Sequence, residues 1–546
     1  MVGSGRPVTV GDDMTVRQIE GEFRTVVDVL RAAALVNADV EAFVEPAAGE
    51  TPRRSLSYAD WDRAADGVAG LLAALGVVRG SVVCLVLPSS ADYMVCYAAA
   101  ARLGAITSGI NPRLGDGEVR SILDRTRPVV TVIDDGARPP DGPAGTVVTR
   151  ADALAAAGGP PPLTLPELEP TDPVAVVWTS GTTGLPKGAV FDHRRLAAVA
   201  AGTDPLAEPG DRRLSPLPFA HVGSMTRTWD EVAKAITTVI TPTPWRPADA
   251  IRVMMEERVT VAQGVPTQWA LVMAHPDMTG ATLPALRVAG TGASRMPAEL
   301  VAELRRRLGV PVVVRYTSTE ASLGTGTLPG DGDQVVATTV GRPVPGVTLA
   351  VVDDDGVAVG TGAVGRVRLR SAAVMLGYWG GPPTGPGAEG VVFDVEATAG
   401  VLDADGWVTT GDFGFVDGDG NLTLVGRANE LYIRGGYNVY PAEVEAALSA
   451  HPTVDQVAVV GAPDPVLGEV GVAFVVLEAG TVAGPALLEE LRTLARASLA
   501  DYKAPDRLVV TESLPLTSML KVDKRALAAR AAAEPIPIIR QSARAS

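Results

Sequence analysis

Val174-Ala-Val-Val-Trp-Thr-Ser-Gly-Thr-Thr-Gly-Leu-Pro-Lys-Gly-Ala189 runs from a continuous apolar stretch into a loop dense in hydroxyls and glycines, with Lys187 near its end. The apolar run, short and β-branched, is the pattern of a strand buried on both faces. The loop after it has the make-up of an anion cradle. Glycines let backbone N–H groups converge on phosphate oxygens, hydroxyls donate further bonds or reach a metal, and a lysine offsets terminal phosphate charge. The spacing differs from the Gly-x-x-x-x-Gly-Lys-Ser/Thr of the common phosphate loop.

Outward from this strand the same alternation repeats. On the N-terminal side, Trp61, Ala64, Ala65, Val68, Leu71, Leu72 and Leu75 recur at three and four residues, which predicts an amphipathic helix that Ser57 can cap. Residues 81–87 read as a buried strand, 91–103 as a helix and 129–133 as another strand. On the C-terminal side, strands are expected at 287–289 and 312–314 with a helix over 297–308 between them. The first ~330 residues are therefore predicted to be doubly wound α/β. From 341 to 425 short alternating stretches, such as 365–369 and 421–425, are broken by Gly, Pro and Asp, the texture of a β-barrel or meander. After Gly426 a small α+β unit is expected, with helices over 441–448 and 487–499 and strands at 457–460 and 471–477. Residues 158–170 read as a linker or surface loop and 526–546 as a frayed end.

Composition narrows the function. The chain has 546 residues, enough for several cores, and 47 Lys plus Arg against 63 Asp plus Glu give a formal charge of −16. Such a field repels phosphate backbones and anionic lipid, which argues against nucleic-acid binding through bulk charge. The two cysteines, Cys84 and Cys96, have no CxxC spacing, so neither a disulfide framework nor a zinc cluster is expected. With no apolar signal segment and no run of the ~18 apolar residues that a span needs, the expected location is the cytoplasm.

Five further segments follow the Val174 strand in order: Arg315-Tyr-Thr-Ser-Thr-Glu320, Trp407-Val-Thr-Thr-Gly-Asp412, Gly426-Arg-Ala-Asn-Glu430, Gly435-Gly-Tyr-Asn-Val-Tyr-Pro441 and Leu514-Pro-Leu-Thr-Ser-Met-Leu-Lys521. Together they resemble the signature motifs of the adenylate-forming superfamily, which includes acyl- and aryl-CoA synthetases, peptide-synthetase adenylation domains and luciferase. The pattern is most similar to acyl-CoA synthetases and covers residues ~57–527. The resemblance implies a large N-terminal domain of two doubly wound α/β subdomains plus a β-barrel, residues 1–428. It also implies a small mobile α+β lid, residues 429–546.

The resemblance also assigns residues. Thr179, Ser180, Gly181, Thr182, Thr183, Gly184 and Lys187 would cradle the phosphates of ATP, and Glu320, with Thr183, would hold Mg2+. A carboxylate suits that hard, oxygen-seeking ion. Tyr316 would stack on adenine above Gly292, Ala293 and Ser294, with Thr319 beside them, while Asp412 and Arg427 would reach the ribose or phosphate. Lys521 would bridge the carboxylate and the α-phosphate, where a mobile cation aligns two anions that must react. Lys503 and Lys524 are nearby alternatives. Of the four scattered histidines only His221 matches a family position, at the junction of acyl pocket and thiol tunnel. The implied pocket comprises Val222, Gly223, Ser224, Trp229, Gly264, Gln268, Trp269, Thr291 and Ser318, many of them small or apolar. Such walls suit a bulky aliphatic, alicyclic or aryl acid.

In CoA-using relatives the strand around Arg434, Gly435 and Gly436 lines the pantetheine path, and the lid turns about the position of Asn429. Departures from the family pattern are Asn429 itself, Leu520 for the Gly before the lysine, Arg315 and Thr317 for glycines beside Tyr316, and Arg366 after Gly365. No Asp closely follows Phe219 to pair with a substrate ammonium, which disfavours an α-amino acid. The leading expectation is an ATP-dependent carboxylate–CoA ligase, with CoA as the thiol acceptor. A second is an adenylate-forming enzyme with another acceptor, either a carrier-protein loader or a nitrite-activating diazotase acting on an arylamine. A third is a nucleotide-binding regulator without turnover. Homodimer formation stays open.

Overall fold

The computed structural model describes residues 3–10, 14–179, 186–292, 296–382, 390–428, 430–478, 480–481, 485–517 and 521–533. Ser180 to Gly184, Ala293, Ser294, Asn429 and Leu520 lie outside the described residues. By its internal packing the chain forms two units, Met1–Leu349 with Arg368–Thr409, and Ala350–Val367 with Thr410–Ser546.

Two large sheets make the first unit. One has eight strands, in the order Val392–Phe393, Gly377–Gly381, Lys187–Asp192, Pro173–Thr179, Ile106–Gly109, Val82–Val86, Val130–Ile133, Thr146–Thr149. Its last five strands are parallel, with a helix in every connection except the loop from Val130–Ile133 to Thr146–Thr149, whereas Lys187–Asp192 turns back antiparallel on Pro173–Thr179. The other sheet has nine strands, with a parallel centre built from Val312–Tyr316, Val288–Gly292, Val261–Gly264, Arg212–Ser215, Thr237–Ile240 and Glu41–Glu45. The doubly wound expectation is met by both.

The helices follow from local signals. Tyr58–Ala74 begins at Ser57, whose side chain accepts from the Asp60 N–H, and it buries Trp61, Ala65, Val68 and Leu72 at helical spacing. Ala298–Leu308 ends at Gly309, whose φ of 69° is one that glycine adopts without a Cβ clash. One core joins residues of both sheets, among them Phe43 and Leu85, with helical side chains such as Trp61 and Tyr97. In it the Phe43 and Trp61 rings meet edge to face at 4.9 Å, and burying each such side chain stabilises the fold by roughly 1.5–3 kcal/mol.

The region expected to form a barrel forms a four-stranded sheet, in the order Thr348–Val352, Gly365–Arg370, Val408–Val416, Leu422–Arg427. Among the described residues no closed barrel is present, and four strands are fewer than the about five of the small closed or partly open barrels. In the second unit a sheet carries the long antiparallel pair Val454–Asp464 and Gly468–Leu477, covered by Pro441–Leu448 and Pro485–Ser498. The packing division does not coincide with residues 428 and 429. Residues 410–428 group with the C-terminal unit, in which the Phe413 and Tyr440 rings lie 5.4 Å apart.

The tail corrects one expectation. Residues 524–533 are not frayed but form the helix Lys524–Ala533, because Leu527 and Ala531, one turn apart, are both 1% exposed and pack into a core with Phe474. An N-terminal hairpin, Gly3–Val10 with Met14–Glu20, had no clear signal in the sequence.

Candidate active site

In the first unit the loop after Val174 is closed by a strand pair. Thr179 faces Lys187 across the antiparallel register, and its hydroxyl donates to the Lys187 carbonyl at 3.3 Å. Trp178 anchors the base of this hairpin, donating to Ser108 Oγ at 2.9 Å while the Arg125 guanidinium lies 4.6 Å from its ring centroid. The hairpin thus fixes both ends of the loop, whatever the loop holds.

Glu320 lies four residues beyond the end of the Val312–Tyr316 strand. Its backbone carbonyl accepts from Met375 N at 2.8 Å, and its Oε1 accepts from the Tyr378 hydroxyl at 2.6 Å. The Lys187 ammonium sits 5.3 Å from the centroid of the same Tyr378 ring. Two expected nucleotide contacts, far apart in sequence, therefore share one tyrosine. Burial first, and the Glu320 charge second, push the Tyr378 phenol well above its ordinary value, so it stays a donor. Tyr378 was not singled out in the sequence. Only the non-local register that sets it opposite Ala189 brings it to Lys187.

Tyr316 is 7% exposed at its strand end, and Gly292 ends the neighbouring strand, where a Cβ would come within 2.6 Å of the Arg315 carbonyl. Ser318 Oγ accepts from Ala321 N at 3.2 Å. The expected acyl-pocket residues come from several elements. Trp269 donates to the Gly290 carbonyl at 3.0 Å and closely faces Gly264, and Gln268 accepts from Val265 N. Thr291, on the strand beside Gly264, is buried, and among the described residues its hydroxyl has no partner. Val222 and Ser224 are buried in a one-turn helix capped by His221, whose Nδ1 accepts from Gly223 N at 3.2 Å. Trp229 packs on the core that contains Trp61, whereas Trp269 belongs to a second core.

In the second unit Asp412 and Arg427 face each other on paired strands, and Arg427 Nε donates to Asp412 Oδ1 at 3.0 Å. Desolvation, then the like charge of Arg427, lowers the Lys521 ammonium below its ordinary value, with Asp412 opposing. Geometry separates the three candidate lysines. Lys503 is paired with Glu443, and Lys524 lies 2.7 Å from Glu430 and 2.8 Å from Glu445. Among the described residues no carboxylate lies within ion-pair distance of Lys521. Arg434 is held by both oxygens of Asp506, at 2.8 and 2.6 Å. Gly435 and Gly436, with φ of 56° and 88°, make the tight turn that follows it.

Comparison with known proteins decides the family. Residues 30–379 match the model of the AMP-binding enzyme, and residues 443–521 match that of the AMP-binding enzyme C-terminal domain. The chain belongs to the AMP-binding enzyme family. This AMP-binding enzyme is 35% identical over 521 residues to an indoleacetate–CoA ligase of Aromatoleum aromaticum, covering 90% of this chain and 97% of that one. It is 31% identical to a fatty acid–[acyl-carrier-protein] ligase of Streptomyces coeruleorubidus, covering 87% and 91%. Its fold is similar to that of an anthranilate CoA ligase solved with anthranoyl-AMP, with a TM-score of 0.81 at 26% identity over 94% and 98% of the two chains. As an AMP-binding enzyme it is an AMP-forming acid–thiol ligase. Among the described residues no helix is long and apolar enough to cross a membrane.

Proposed function

We propose that this AMP-binding enzyme is an ATP-dependent carboxylate–CoA ligase. A carboxylate oxygen attacks the α-phosphorus of ATP, the bond to the β-phosphate breaks, and pyrophosphate leaves. The CoA sulfur then attacks the acyl carbon of the adenylate, the thiol proton is lost, and AMP departs. The observation that carries this reading is the match along nearly the whole chain to a CoA ligase.

Within it we assign roles to this chain's own groups. Lys521 is the one lysine of the three with no carboxylate partner among the described residues, which leaves its ammonium available to two anions. Asp412, held through Oδ1 by Arg427, takes the ribose hydroxyls. Tyr316 and Gly292 form the adenine face, and Thr179 and Lys187 flank the phosphates.

Magnesium fits the donor set. A single carboxylate suits an ion held otherwise by phosphates and water. Glu320 commits Oε1 to Tyr378, which leaves Oε2 for it. When bound, the ion would withdraw charge from the phosphate oxygens.

The lid, residues 429–546, would deliver Lys521 in one pose and open a thiol path past Gly435 and Gly436 in another. Arg434, clamped by Asp506, supports that path structurally. The acid is a bulky aliphatic, alicyclic or aryl carboxylate, admitted by Val222, Gly223, Ser224 and Gly264. The free Cys84 and Cys96 support a cytosolic site of action.

The test is acid-dependent pyrophosphate release from ATP without CoA, run over a panel that includes indoleacetate, anthranilate and fatty acids. Release with an aryl or bulky acid supports the reading, and release with none of them removes the assigned acid class.

A further inference from the structure

Tyr378 occupies an unusual place between two opposite charges. It stands on the Gly377–Gly381 strand opposite Ala189, two residues along the strand from Lys187. Its own backbone N–H donates to Thr398 Oγ1 at 2.9 Å, and its side chain is nearly buried, the residue being 4% exposed. The ring is therefore fixed by the sheet, not by what it touches at its tip. That tip donates to Glu320 Oε1 at 2.6 Å, a charge-assisted bond, while the ring carries the Lys187 ammonium 5.3 Å from its centroid. Among the described residues Lys187 and Glu320 form no ion pair with each other or with any other side chain.

Gathered on one tyrosine, a lysine and a glutamate could instead pair directly with each other. Such a pair would neutralise two groups that the nucleotide needs in opposite senses, a cation for phosphate and an anion for a metal. A tyrosine satisfies both without joining them. Its negative ring face takes the cation, and its hydroxyl takes one carboxylate oxygen and leaves the second open.

We propose that Tyr378 is a positioning residue for adenylation, setting the Glu320 carboxylate for the metal and holding the Lys187 ammonium apart from it. This rests on the assignment of Glu320 to Mg2+ and Lys187 to phosphate. The hydroxyl and the ring have separable effects. Tyr378→Phe removes only the bond to Glu320, whereas Tyr378→Leu removes the support for Lys187 as well.

The test is Mn2+ binding to the full-length protein with ATP, followed by electron paramagnetic resonance, together with metal-free ATP binding by calorimetry. Thermal unfolding reports whether each variant is folded. Losing a hydrogen bond to a charged group should weaken Mn2+ binding about tenfold in Tyr378→Phe, with metal-free ATP binding unchanged. Tyr378→Leu should also weaken metal-free ATP binding, by about threefold. Glu320→Gln is the control for the underlying assignment. If it weakens Mn2+ binding while Tyr378→Phe binds as the parent does, the positioning role is overturned and the Glu320 assignment stands. If neither variant changes Mn2+ binding, the Glu320 assignment fails and the proposal falls with it. Should Tyr378→Phe not fold, Tyr378→Leu is compared with Glu320→Gln in the same way.

Discussion

Arg427 Nε donates to Asp412 Oδ1 at 3.0 Å across two paired strands, and Asp412 is 7% exposed whereas the Arg427 side chain is about half exposed. The carboxylate is thus preset by the backbone register of the sheet before any ligand arrives. Asp412→Asn keeps the shape and removes the charge that Arg427 uses and that a ribose would use under the proposed assignment. It should raise the KM for ATP about tenfold with a smaller change in kcat, as steady-state pyrophosphate release would show. An unchanged KM would remove Asp412 from the nucleotide site.

Lys521 differs from its neighbours in having no carboxylate partner among the described residues. Lys521→Ala should lower acyl-adenylate formation by roughly a hundredfold or more, while ATP binding and thiolysis of a supplied adenylate stay near the parent rates. Lys524→Ala should do the reverse. It leaves Glu430 and Glu445 facing each other unpaired, so it should lower the unfolding temperature, with adenylation little changed in the folded protein. Separate single-turnover assays of the two half-reactions distinguish these outcomes.

His193 is 1% exposed and its Nδ1 accepts from Val26 N at 3.3 Å, which requires the neutral ring. Burial lowers its pKa from the ordinary 6.5 to about 4, although Asp172, Asp192 and Asp28 pull the other way. Between those values the unfolded chain binds a proton that the folded chain refuses. Stability is therefore retained above about 6.5 and lost as pH falls toward about 4. His193→Asn, which can still accept from Val26, should flatten this slope in unfolding temperature against pH.

Leu527, 1% exposed on the last described helix, packs into the core with Phe474 and Val472. Leu527→Ala should destabilise the fold by about 3 kcal/mol in denaturant titration. A change near zero would mean that this helix is detached in solution.

Sequence legibility tracked how local the cause was. Tyr58–Ala74 was readable because Ser57 and the Trp61, Ala65, Val68, Leu72 stripe lie within a few turns of one another. The parallel strands showed as apolar runs because both faces are buried. The two-residue strands Thr325–Gly326 and Arg342–Pro343 were silent, since their only signal is the edge they pair with. The last helix looked frayed because its stripe is just Leu527 and Ala531, and the strands it covers lie some 50 to 70 residues earlier. At the candidate site Glu320, Asp412 and Lys521 stood out through their motifs, but Tyr378 did not. Its partners are 58 residues away on one side and set by strand register on the other. Nor could sequence separate Lys521 from Lys503 and Lys524 without its motif, because the carboxylates that occupy the other two come from distant turns.

The most direct measurement is the product formed when the purified protein is given ATP, magnesium, CoA and the best acid of the panel, read by mass spectrometry with nucleotide quantitation. A carboxylate–CoA ligase yields acyl-CoA and AMP in equal amounts, with pyrophosphate and no ADP. Acyl-adenylate that accumulates without thioester, or ADP in place of AMP, would contradict it.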